Sequence, residues 1–233
     1  ENQEYFDYEL KTHASLMKLL NESEIENEKF LENQADKFRF QMLNNLITKL
    51  GEDYFAGKTK GIITQYLDSE IDKIDFKDSV LFASNNDYRY FLSSYFVAGL
   101  NSGDLKTLEL YNEELLEMQK KSILTTLKRG ISFYNMDKLD LYYQTYVKLA
   151  ANDKGINRIK EKYDRIKTLK KGSPSPSFNY PDSSGKNISL ESLKGKLVYV
   201  DVWATWCGPC KAQIPFLKQL EEKYRKEDIA FVS

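Results

Sequence analysis

Two residues in this chain of 233 can do thiol chemistry, and they lie three positions apart: Cys207 and Cys210, within Trp206-Cys207-Gly208-Pro209-Cys210-Lys211. Disulfide exchange needs one thiol exposed enough to attack, and a second close enough to resolve the mixed disulfide that results. A Cys-x-x-Cys pair opening a helix supplies both. Unpaired backbone N–H groups and the positive end of the helix dipole favour thiolate at the first cysteine. Cys207 is therefore the expected nucleophile, and Cys210, one turn further in and more buried, the expected resolving thiol. Pro209 fixes its own φ and has no N–H to lose in the first turn, while Gly208 is expected to permit the close approach of the two sulfurs.

The same tetrapeptide can also be half of a zinc site, a purely structural disulfide or a coincidence. Zinc sites take four Cys/His ligands when structural and three protein ligands when catalytic. Beyond the two cysteines only His13 is available, far along the chain in a helical segment. No metal site is expected, no cofactor is required, and His13 reads as an ordinary solvated residue.

The redox reading demands a strand before the pair and a helix after it. Leu197 to Val202 is a near-continuous apolar, β-rich run of the kind covered on both faces, and Ile214, Leu217, Leu220 and Tyr224 recur at helical spacing. Ile229-Ala230-Phe231-Val232 begins another strand, so the order is βαβ with Cys-x-x-Cys at the helix start. Upstream, Phe178-Asn179-Tyr180 and Ile188-Ser189-Leu190 flank a turn at residues 182–186 and read as a β-hairpin.

Residues 1–171 contain no proline, and their apolar residues recur at helical spacing. The capping-box pattern Ser23-x-x-Glu26 predicts a helix carrying Leu31, Ala35, Phe38, Met42, Leu46 and Leu50 until Gly51 ends it. After a break from Gly99 to Gly103, Asp104 starts a second stripe of Leu105, Leu108, Tyr111, Leu115 and Met118. Leu139, Tyr142, Tyr146 and Ala150, capped by Asp137, predict a third helix, and Ile156, Ile159, Tyr163, Ile166 and Leu169 a fourth. Each stripe needs a facing partner, which predicts a helical bundle or array. Its many aromatics, Tyr88, Tyr90, Phe91, Tyr95 and Phe96 among them, read as core rather than as a ligand groove. The Gly/Pro/Ser segment 172–177 cannot continue a helix, and it sets the expected boundary between domains 1–171 and 172–233.

The 34 basic and 35 acidic side chains leave a formal charge of −1 and no net field favouring nucleic acid or an anionic membrane. No apolar run reaches the roughly 18–20 residues that span a bilayer. The start at Glu1, without Met or a leader, fits a mature or trimmed chain from which a signal or lipid anchor has been removed.

From about Gly172 onward the sequence resembles the thioredoxin superfamily, and more narrowly its TlpA/ResA-like thiol–disulfide oxidoreductases of bacterial envelopes. The residues that carry the resemblance are the hairpin from Phe178 to Lys186 with Ser189-Leu190, then Leu193-Lys194-Gly195-Lys196, and the run from Val200 to Lys211 closed by Pro215. The resemblance implies that Pro215 kinks the helix after the cysteines and that Trp206 flanks the active site. It also implies that Asp201, six residues before Cys207, is the buried acid relaying protons to the resolving thiol. The lysine that neighbours this acid in thioredoxins has no counterpart in Ile229 to Ser233. Elements that complete a thioredoxin fold, including a cis-proline loop facing the cysteines, are absent from the sequence, so a truncated piece of a longer protein is expected, with an unpaired sheet edge and an uncovered face.

The expected fold is therefore α+β in two domains, an all-α N-terminal bundle or array and an incomplete thioredoxin-like α/β domain. The expected activity is reduction or exchange of disulfides in envelope proteins, with Cys207, Cys210 and Asp201 catalytic and Trp206, Gly208 and Pro209 meeting substrate. Protein disulfides or dithiols and a redox partner protein are the expected partners, with nucleic acid excluded and the membrane reached only through a removed anchor. The compartment implied is the periplasm or cell envelope. Against this stands a helical partner-binding module whose redox domain is inactive in this form. A thiol peroxidase fits less well, because such enzymes carry Pro-x-x-x-Thr-x-x-Cys where this chain has Trp203-Ala204-Thr205-Trp206-Cys207.

Overall fold

The computed structural model describes residues 1–150 and 154–233. They divide into two compact units, Glu1–Lys170 and Lys171–Ser233.

Among its described residues the first unit is built of helices joined by turns, with no strand. The central pair is α2 (Glu28–Phe55) and α5 (Asn86–Ser102), with α1 (Asn2–Asn21) against α2. Along α2 the buried face runs Phe40, Leu43, Leu46, Ile47 and Leu50, and α5 answers with Tyr88, Phe91, Leu92, Tyr95 and Phe96. Aromatic rings meet edge-on across this seam, as Phe40 does with Tyr88 at 4.9 Å between centroids. Such pairs prefer this geometry because the positive edge of one ring faces the negative face of the other. The aromatic residues here are core, as their spacing implies; Tyr90 is the exception, on the outer face.

Helix α2 begins at Asn27, whose side chain accepts from Phe30 N, and not at the Ser23 capping box. Ser23 instead donates to Leu20 O, 2.7 Å away, closing the end of α1. Nor does Gly51 end α2, which continues for another turn. Gly51 lies where α2 and α5 approach so closely that a Cβ would touch Ala98, so the glycine serves packing rather than termination. Gly99 likewise lies inside α5, and Gly103 alone, at φ 75°, stops that helix.

Asp104 does cap the next helix, accepting from both the backbone N and Oγ1 of Thr107 at 2.7 Å. The stripe that follows is split between α6 (Leu105–Glu113) and α7 (Glu117–Gly130). In the first turn of α7 buried Gln119 accepts from Leu116 N and donates to Phe76 O, a partner distant in sequence. Helix α8 (Leu139–Leu149) starts out of a 3₁₀ turn that contains Asp137, without a side-chain cap, and α9 (Ile156–Lys167) buries Tyr163 and Ile166. Two shorter helices, α3 (Ile62–Ile71) and α4 (Ser79–Ser84), cover Ile63, Leu67 and Phe82.

His13 departs from the solvated reading. Its Nε2 is shielded from solvent and has no hydrogen-bond partner among the described residues. Burial lowers its pKa, the Arg39 guanidinium lowers it further, and the Glu70 carboxylate acts in the opposite direction. Arg39 and Glu70 are themselves paired at 2.9 Å, so the imidazole sits beside an ion pair and burial sets the direction of its shift.

The second unit begins with the hairpin β1 (Asn179–Pro181) and β2 (Asn187–Ser189), antiparallel with Tyr180 opposite Ile188. The Asp182 carboxylate receives the N–H groups of Ser184 and Lys186 and so organises the turn. Strands β3 (Leu197–Val200) and β4 (Ile229–Val232) pair in parallel, joined by α10 (Gly208–Lys223). The run from Leu197 to Val202 is covered only in part, in line with the expected uncovered face and not with cover on both faces. Tyr199 lines a cavity with residues of α10, whereas Val200 and Val202 are 52% and 86% exposed. Among the described residues, β3 pairs with β4 alone; half-buried Val198 lines a cavity with Phe178, Tyr180 and Leu190 of the hairpin segment, while Val200 stays exposed.

Two measurements test this packing. A folded-state pKa below the unfolded value of about 6.5 means that the unfolded chain takes up the proton first, so His13 costs nothing above that pH and destabilises the fold as pH falls through it. Urea unfolding at pH 8 and pH 5 should show a loss of stability in the wild type that is smaller in His13→Gln; equal losses would contradict the burial of Nε2. At Gly130 a Cβ would overlap the Tyr142 ring of α8, and Gly130→Ala should therefore lower unfolding free energy by about 1–3 kcal/mol.

Candidate active site

The approach to the cysteines is set by the βαβ unit. The N–H of Asp201 donates to Val232 O at 2.9 Å, extending the parallel ladder one residue beyond β3. Trp203 Nε1 then donates to Ser233 Oγ at 2.9 Å, holding the segment after the strand against the end of β4. A tight turn follows, closed by Cys207 N donating to Ala204 O, and the chain enters α10.

Cys207 is the N-cap of α10, with extended backbone (φ −81°, ψ 95°). Its Sγ accepts from the backbone N–H of Cys210 at 3.3 Å, the position a serine or aspartate oxygen takes in ordinary caps. Pro209 stands in the first turn, where no N–H is missed, and no acidic side chain shares that turn. A negative charge on Cys207 Sγ thus meets an N–H donor and the helix dipole with no competing carboxylate.

The two cysteines are joined as a disulfide, with their Cα atoms 5.3 Å apart. Both are half-buried, so the expected difference in burial is not seen in this oxidised form. Trp206, Gly208 and Pro209 surround them on the exposed side, Trp206 being 86% exposed. Gly208 is not needed for the sulfurs to meet: a Cβ there would find nothing within 4 Å, and its φ is not positive. What the missing side chain leaves is open surface beside Cys207.

Asp201 is half-buried rather than buried, and it lines a cavity of about 160 Å³ between the sheet and α10. Ile214, Leu217, Lys218 and Glu221 line the same cavity from the helix, and neither cysteine does. The strand β4 places no lysine beside Asp201, and Lys218 of α10 stands at the cavity instead. Its signal was the spacing: 214, 217, 218 and 221 share one helical face, the one turned to the sheet. Among the described residues Asp201 and Lys218 do not form an ion pair. Pro215 lies within α10, which the structure shows as unbroken from Gly208 to Lys223. No group of three or more His, Cys, Asp or Glu is placed to hold a metal among the described residues.

Comparison with known proteins locates this geometry. Residues 170–233 match the Redoxin family. Over 62 residues the chain is 37% identical to the thiol-disulfide oxidoreductase ResA of Bacillus thuringiensis (strain Al Hakam), covering 27% of this chain and 36% of that protein. ResA of Bacillus subtilis (strain 168) is 35% identical over 66 residues, covering 28% and 37%. The thioredoxin-like protein YneN of the same organism is 38% identical over 56 residues, covering 24% and 33%. The chain thus spans about a third of the length of the curated relatives it matches. No solved structure gives a significant match. Following a helical N-terminal unit, the segment from residue 170 to 233 matches the Redoxin family and is similar in sequence to ResA.

Proposed function

We propose that the protein to which this chain belongs is a thiol–disulfide oxidoreductase of the bacterial cell envelope that reduces or exchanges disulfides in other proteins. The observation that carries this reading is Cys207 Sγ capping α10 by accepting the Cys210 N–H, in a βαβ unit whose sequence is ResA-like. The helical unit and the redox unit are its two domains. An envelope location is the setting in which a reducing dithiol meets protein disulfides. No described helix is long and apolar enough to cross a membrane.

In the reduced state the Cys207 thiolate attacks one sulfur of a substrate disulfide. A Cys207–substrate bond forms, the substrate S–S bond breaks, and the other substrate sulfur leaves as a thiolate that takes up a proton. Cys210 then loses its proton and attacks Cys207 Sγ. The second substrate sulfur leaves, and two electrons have passed from the dithiol to the substrate. The Cys207–Cys210 disulfide is the product on the enzyme, and a partner dithiol reduces it again. Asp201 is the base assigned to the Cys210 proton on the resemblance to thioredoxins alone, since the cavity that it lines includes neither cysteine. The Gly-Pro pair between the cysteines resembles thioredoxin, whose potential near −270 mV supports the reducing direction.

Trp206, Gly208 and Pro209 form the exposed surface on which a substrate segment would lie. Gly208 contributes by leaving room for its backbone.

Insulin reduction with dithiothreitol as donor tests the assignment. Cys207→Ser should lose at least about a hundredfold of the catalysed rate, and Cys210→Ser should accumulate a mixed disulfide at Cys207 visible by mass spectrometry; equal rates for wild type and Cys207→Ser would remove Cys207 from the mechanism. Gly208→Ala should keep the wild-type unfolding midpoint and its rate with a small aromatic disulfide, while its KM for insulin rises. A fall in stability instead would assign Gly208 to the fold.

A further inference from the structure

A groove on the helical unit, between α5 and α7 with the end of α4, is lined by three cations, Arg89, Lys121 and Arg129, and by no described carboxylate. Its volume is about 380 Å³. In a chain that carries nearly equal numbers of acids and bases, such local imbalance is a departure from the whole. Elsewhere on α7 the charges are compensated: Lys120 pairs with Glu117 and also donates to Asn112 O. Among the described residues neither Lys121 nor Arg129 has an acidic partner.

Arg89 is held in place. Its Nη1 donates to Phe82 O at 2.7 Å and to Ala83 O at 2.8 Å, and its Nη2 reaches Asn86 Oδ1, so the guanidinium closes the end of α4. That ordering is present before any ligand binds, which lowers the entropy cost of using the remaining N–H groups. Ser122 meets Ser93 between the two helices at 3.2 Å, a hydroxyl pair on the groove lining. Tyr90 and Met118 add apolar surface, 63% and 52% exposed.

Dimensions choose between a point anion and a longer ligand. From Met118 to Arg129, α7 lines the groove for about 16 Å at 1.5 Å per residue, and Lys121 and Arg129 stand about 12 Å apart along the axis. An extended peptide rises about 3.3 Å per residue, so acidic side chains four apart on one face of a strand match the two cations. The residue midway between them points to the same side.

We propose that this groove binds an extended acidic peptide segment of a partner protein, with acids at its first and fifth positions and an aromatic or apolar residue at the third. The site is separate from the thiol chemistry and stands whether or not that chemistry is correct.

The probe is a labelled acetyl-Glu-Ser-Phe-Ser-Glu-amide, titrated with the full chain and followed by fluorescence anisotropy at low and raised salt. Saturable, salt-sensitive binding is expected, weakened about three- to tenfold by Lys121→Glu and separately by Arg129→Glu. The Gln-Ser-Phe-Ser-Gln peptide should not bind. Both replaced residues are exposed, so circular dichroism of the variants should match the wild type, and the glutamine peptide tests the charge requirement without altering the protein. Absence of saturable binding, or binding indifferent to both reversals, overturns the proposal. So does equal competition by inorganic phosphate, which would reduce the groove to a simple anion site, or self-association of the chain that Lys121→Glu abolishes, which would make the occupant a second copy.

Discussion

One hydrogen bond organises the chemistry of this molecule: the backbone N–H of Cys210 donated to the sulfur of Cys207. The first N–H groups of a helix have no intrahelical acceptor, and here a sulfur supplies one. The bond does two things at once. It ends the connection from the parallel strand and begins α10, and it places a partial positive charge against the atom that must carry negative charge to be nucleophilic. Pro209 adds no N–H to the first turn and Gly208 adds no bulk, so both the cap and the approach to the sulfur stay open.

The surroundings of that cap differ sharply from the helical unit. In residues 1–170 the side chains at the α2–α5 seam are almost wholly withdrawn from water, and the same aromatic rings recur in contact after contact: Phe76 stacks on Tyr95 while meeting Phe96 edge-on. In residues 171–233 no side chain reaches that degree of burial among those described; the sheet turns Tyr199 and Phe231 toward α10 and leaves Val200 and Val202 exposed. Burial of apolar area is the dominant favourable term in folding. The stability of the helical unit therefore comes from its core, whereas the local geometry of the redox unit rests on backbone ladders, on the Asp182 turn and on the disulfide.

Helix boundaries show where local sequence ceases to decide. Asp104 caps α6 as its type and position imply, because a short carboxylate can reach the N–H three residues on without help from elsewhere. Ser23 has the same local credentials and starts no helix, since its hydroxyl closes the end of α1 on Leu20 O and Asn27 caps α2. Gly51 and Gly99 look like helix ends and are instead places where two helices touch, a distinction that depends on Ala98 in one case and on Thr107 and Phe55 in the other. The division between α6 and α7 rests on Gln119 reaching Phe76, a partner far away in sequence.

Read by itself, the amino-acid sequence determined the class of each unit, the strand–helix–strand order around the cysteines, and the chemistry available to them. These follow from residue type and short-range periodicity, which act through the backbone within one or two turns. Tertiary structure alone decided that Val198 would be half-buried and Val200 exposed, that Asp201 would share a cavity with Lys218 of α10 as well as with Phe231 and Val232 of β4, and that His13 would lose solvent beside Arg39 and Glu70. It also gathered Arg89, Lys121 and Arg129, drawn from two helices, into one groove. The physical reason is common to all four: burial, desolvation and the meeting of charges depend on which surfaces face each other, and that is fixed by packing between elements distant along the chain.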